Sequence, residues 1–117
     1  MFKVTFYKRP NGNEPMTDHL DSLDIKMRVK VLRSLSILQE KGNELRYPET
    51  DDLGDGIFEL RTSLGNNIER ALFFFAGHRE IVVTHGFIKK TRKTPRQEID
   101  KAKRCRESHY RQKEKGL

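Results

Sequence analysis

The stretch HGFIKKTRKTP, residues 85–95, sets a histidine, an aromatic ring and four cations directly behind the apolar run Ile81-Val82-Val83. The groups are His85, Phe87, Lys89, Lys90, Arg92 and Lys93. Clustered cations hold phosphate, and they lower one another's pKa values, which fits one lysine or the histidine to act as a base. Two arginines stand inside apolar strands nearby, Arg61 in IFELRTSL and Arg70 in IERALFFF. A guanidinium suits phosphate because its planar fork donates two hydrogen bonds and keeps its proton near neutral pH. Each residue also has a plainer reading. Arg61 and Arg70 pair with Glu59 or Glu69 across a sheet, His85 is a half-buried polar residue late in a strand, and Phe87 is core rather than a platform on which a base stacks.

Other chemistries lack their parts. His19, His78, His85 and His109 are scattered without ligand spacing, so no metal is expected. The single cysteine, Cys105, excludes an internal disulfide. No glycine-rich phosphate loop follows a strand, and no serine or cysteine sits in a nucleophile context. The acidic cluster Glu49, Asp51, Asp52 and Asp55 reads as a solvated turn. Phosphodiester chemistry on RNA fits what remains. RNA brings its own nucleophile, the 2′-OH, and the protein adds a base, an acid and positive charge for the phosphorane, with no cofactor.

Charge distribution points the same way. Residues 1–84 carry 12 Lys+Arg against 13 Asp+Glu, whereas residues 85–117 carry 12 against 4. The whole excess of +7 therefore sits in the last third and suits a polyanion or an acidic protein; a solvated basic tail is the bland alternative. This segment lacks a bulky apolar face for a membrane surface, and no run approaches a membrane span. The start MFKVTFYKRP is no signal peptide, and a reducing cytoplasm is expected. With 117 residues the chain is read as one domain, 1–117.

The elements that must position these groups follow from periodicity. FKVTFY (2–7) reads as a strand. Met16 to Lys41 is helical in two pieces, the second capped by Asp24 and stopped by Gly42-Asn43. Residues 44–56 form a loop with a short extended piece. Three strands, 57–64, 68–75 and 80–90, are joined by tight turns as an antiparallel meander. A last helix runs from Pro95 to about Tyr110, with Thr94 as N-cap and Gln97 completing the capping box. Its apolar stripe of Ile99, Ala102 and then Cys105 or His109 is thin. The sum is an α+β domain with its helices packed on one sheet face and the other face bare. Strand parity groups Glu59 with Arg61, Arg70 with Leu72 and Phe74, and His85 with Phe87 and Lys89.

GIFELR, then RALFFF, then HGFIKKTRKTPRQEIDKAKRCRE resemble the RelE superfamily, in particular its HigB-like, phage-derived host-inhibition branch. The likeness spans nearly the whole chain. It implies the toxin of a type II toxin–antitoxin system that enters the ribosomal A site and cleaves mRNA without a metal. It implies a cognate HigA-like helix-turn-helix antitoxin, with operator DNA reached only through that antitoxin. By position, Arg61 and Arg70 match the phosphate-contacting arginines, and His85, Lys89 and Lys90 the further catalytic groups. Phe87, Arg92 and Lys93 join the RNA-contacting set, and Lys101, Arg104 and Arg111 face ribosomal RNA. A tyrosine near the C-terminus often stacks in this superfamily, and Tyr110 holds that place. The alternative is a non-catalytic RNA-binding or antitoxin-partner (co-repressor) module of the same fold.

Overall fold

A computed structural model describes residues 1–88 and 92–116. Strand β1 (Lys3–Phe6) leads to helices α1 (Pro15–Ser22) and α2 (Ile25–Lys41), then β2 (Thr50–Asp52), the meander β3 (Phe58–Leu64), β4 (Asn67–Phe75) and β5 (Glu80–Ile88), and finally α3 (Arg96–Glu114). Asp24 caps α2 by accepting the Met27 amide, and Gly42 ends it at φ 54°, a backbone state that favours glycine. The strands form one mixed sheet in the order β1-β5-β4-β3-β2, with β1 parallel to β5 and the other pairs antiparallel. At the sheet margin, α2 reaches β1: the Phe2 amide donates to the Gln39 carbonyl at 2.7 Å and the Val4 amide to Gln39 Oε1 at 3.2 Å.

The expectation of one covered face is corrected. Leu60, Ala71, Phe73, Ile81 and Val83 pack with Met16, Val31, Leu35 and Leu38 of the helical hairpin. Leu72, Phe74 and Val82 point the opposite way and pack with Ala102 and Cys105 of α3. The cause lies in β4. Its run Ala71-Leu72-Phe73-Phe74 is apolar on both faces, and a strand of that kind is buried on both sides. Ala102 and Cys105 are small, so α3 lies close to the sheet with few apolar contacts. Polar links complete the attachment: Tyr7 Oη donates to Ser108 at 2.8 Å, His85 meets Glu98 at 2.9 Å, and Gln112 donates to the Lys8 carbonyl at 3.0 Å.

A bulge in β5 decides which way its end faces. Leu72 pairs with His85 and Phe73 with Val83, which leaves Thr84 as the extra residue. Strict alternation would turn His85 toward the hairpin with Ile81 and Val83. The bulge turns it toward α3 instead. Gly86 then faces the hairpin, where a Cβ would lie 2.4 Å from the His19 ring and 2.7 Å from Glu69 Oε2. Those two groups bond at 3.0 Å, and burial pushes the Glu69 carboxyl up. Gly86→Ala is accordingly expected to destabilise the fold by about 1–3 kcal/mol through overpacking. An unchanged urea midpoint would contradict this.

Candidate anion-binding site

Arg61, Arg70 and Phe87 lie side by side across β3, β4 and β5. Two arginines directly opposed on one sheet face repel unless something negative lies between them. Glu59, two residues before Arg61 and on the same face, supplies that charge. Its fully buried carboxylate accepts from Arg61 Nε at 2.7 Å and pairs with Arg70 Nη1 at 3.4 Å. The Thr94 hydroxyl donates to the same carboxylate. Arg70 Nη1 also lies 3.2 Å from Thr94 Oγ1 and donates to the Arg92 carbonyl at 3.1 Å. Thr94 is therefore not the cap of α3, as its sequence context suggested; Pro95 holds that position with no side-chain cap. The hydroxyl is used inward, where it ties the loop before α3 to the buried ion pair.

The two arginines differ in access. Arg70 is 1% exposed, so the expected open surface around it is absent. The Arg61 side chain is 20% exposed. Its guanidinium also donates to Asp51 at 3.3 Å and lies 5.3 Å over the Tyr47 ring, a cation–π geometry. Two hollows adjoin it. One, about 300 Å³, is lined by Tyr47, Arg61, Ile68, Arg70 and Arg92. The other, about 380 Å³, is lined by Leu53, Arg61, Lys93 and Ile99 among others. Arg92 and Lys93 are exposed at their rims. Among the described residues, Arg61, Arg70, Arg92 and Lys93 gather here with the carboxylates Glu59 and Asp51.

His85 sits on the same sheet face but is enclosed. Its ring is 3% exposed, with Nδ1 3.0 Å from Thr84 Oγ1 and Nε2 2.9 Å from Glu98. Burial pushes the imidazole down to about 4, against the pull of Glu98. The ring is neutral at pH 7 and links β5 to α3. Folding favours the uncharged form, so the stabilising contribution is complete above the ordinary 6.5 and is lost as pH falls toward 4. In a melting series from pH 7 to pH 4, the protein is expected to lose stability relative to a His85→Gln variant. Parallel curves would contradict that.

The remaining expected residues are dispersed. Phe87 packs on the α3 side of the core and stacks on His85 at 6.0 Å between centroids. Lys101 and Arg104 lie on the flank of α3 facing the β1–α1 loop, whereas Arg111 bonds Glu107 at 3.2 Å. Tyr110 leans on Phe74 at 5.9 Å, and the aromatic ring at Arg61 is Tyr47. Lys89 and Lys90 lie outside the described residues. Among the described residues, no three His, Cys, Asp or Glu side chains come together as a metal-ligand set, and no helix is long and apolar enough to cross a membrane. Sequence reasoning missed Tyr47 and the pairing of Asp51 with Arg61, since both sit in the loop around β2 where periodicity carries no signal. It did name Glu59 as a partner for the arginines. Glu69, the other candidate, faces the hairpin instead.

The strand and helix order, the mixed sheet and the C-terminal helix define a RelE-like α+β protein. The family model described as Phage derived protein Gp49-like (DUF891) matches residues 18–107, and the chain belongs to that family. It is a toxin–antitoxin-associated family of RelE-like toxins, and membership implies an antitoxin partner. A comparison with curated proteins found no match.

Proposed function

We propose that this protein is the HigB-like toxin of a type II system and acts in the cytoplasm as a ribosome-dependent, metal-independent mRNA endonuclease. One observation carries the reading: a partly exposed guanidinium, Arg61, is held rigidly by Glu59 and Asp51 at the mouth of two hollows rimmed by Arg92 and Lys93. Arg61 and Arg92 grip the scissile phosphate and stabilise its developing charge. Tyr47 offers a face on which a neighbouring base stacks. Arg70, buried behind Glu59, is a positioning residue. The attacking group is the RNA's own 2′-OH. With His85 enclosed and neutral, the proton steps fall to Lys89 and Lys90. A HigA-like helix-turn-helix antitoxin neutralises the toxin.

The second reading is a binder that blocks translation without cutting, or a co-repressor with the antitoxin. It draws support from Glu59, which already offsets part of the arginine charge. Primer extension on a translated message separates the two. The endonuclease gives discrete new 5′ ends that depend on the ribosome; a stalled but intact message overturns it.

A further inference from the structure

A third hollow, about 410 Å³, lies on the other flank of α3. Tyr7, Arg9, Pro10, Asn11, Lys101, Arg104 and Cys105 line it. Its walls are fixed by hydrogen bonds. The Arg9 amide donates to the Asn13 carbonyl and the Gly12 amide to the Arg9 carbonyl, both at 2.8 Å, which holds the β1–α1 loop in a tight turn. Tyr7 with Ser108, and Gln112 with the Lys8 carbonyl, fasten that loop to the helix.

The cations here are unlike their neighbours. Elsewhere on α3, Arg96 pairs with Asp100, Lys103 with Asp55 and Arg111 with Glu107. Among the described residues no carboxylate pairs with Arg9, Lys101 or Arg104, and no acidic side chain lines the hollow. All three lie near enough to pull the Cys105 thiol downward, though burial pushes it up more strongly. Three like charges converging without a counter-charge raise the energy of the empty protein and favour an anion.

We propose that this hollow is a second phosphate-binding site, taking a backbone phosphate of single-stranded RNA on Arg9, Lys101 and Arg104. The proposal rests on the RNA reading above and adds Arg9 and a second point of attachment. RNA is favoured over an acidic side chain of a protein by repetition. Cation-lined hollows flank α3 on both sides, one against Lys101, Arg104 and Cys105 and the other against Ile99. A polymer with a charge on every unit spans both; a lone carboxylate fills one.

The test is binding of a fluorescent, 2′-O-methylated oligouridylate, which cannot be cleaved, across a salt series. For single strands the log–log slope changes by about 0.7 per neutralised phosphate contact. With the three cations on one phosphate, replacing all of them (Arg9→Gln, Lys101→Gln, Arg104→Gln) is expected to flatten the slope by about 0.7. Melting temperature and circular dichroism confirm that the variant is folded, and restoring Arg104 alone recovers part of the slope. An unchanged slope overturns the second site. If an Arg61→Gln, Arg92→Gln variant still flattens the slope in that case, the primary reading stands; if neither variant does, both fail. Unchanged RNA binding with weakened binding of the purified antitoxin overturns the proposal in favour of a protein ligand.

Discussion

Glu59→Ala is expected to cost about 3–5 kcal/mol of folding stability, the range seen when one member of a buried ion pair is removed. The carboxylate is fully buried and serves three groups at once, Arg61, Arg70 and Thr94. Without it, Arg70 remains charged and enclosed directly opposite Arg61. The repulsion that Glu59 cancels then acts in a poorly solvated interior. The Thr94 hydroxyl loses its acceptor, and the loop before α3 loses its tie to β3. Urea denaturation at neutral pH measures the effect. A loss below about 1 kcal/mol, typical of exposed pairs, would show that the bridge is ornamental. Simultaneous replacement of Glu59 and Arg70 by apolar residues of similar volume should recover much of the loss, because an uncompensated charge is the main penalty.

Arg61→Ala is expected to separate function from folding. Its side chain is partly exposed, and Glu59 keeps Arg70 and Thr94 when Arg61 is gone. The stability cost should be about 1.5–3 kcal/mol, the worth of one hydrogen bond to a charged group. Under the endonuclease reading, cleavage should fall by about 10²–10³-fold, the effect of removing one donor to a charge that develops in the transition state. Growth arrest in cells and cleavage in a translation extract are the paired readouts, with a melting curve to confirm the fold. Full toxicity in a folded Arg61→Ala protein would remove the central residue of the proposed site. Arg70→Ala should behave differently, losing activity only as far as it loses structure.

That contrast shows where sequence reasoning reached its limit. Parity correctly grouped Glu59 with Arg61 and set Arg70 beside Leu72, because alternation survives in any register. It did not tell an arginine at the surface from one beneath a loop, since burial depends on what crosses the face. Asp24, Gly42 and the turns between strands were legible because caps and turns are local chemistry. The side taken by α3 was not, although the two-sided apolar run of β4 carried the signal. The thin stripe of α3 masked it. Thr94 fitted a capping box by spacing, but its hydroxyl donates to the Glu59 carboxylate and lies beside Arg70 Nη1. The bulge at Thr84 has no local sign, and it alone decides that His85 meets Glu98.

The grip of Gln39 on β1 bears on how the protein behaves at high concentration. A sheet margin with free outward amides is a template on which another copy adds its own strand, the first step toward aggregates. Here the amides of Phe2 and Val4 are already satisfied from α2, so a newcomer would have to break two internal bonds before forming its own. Self-association by strand addition is thereby discouraged at that end.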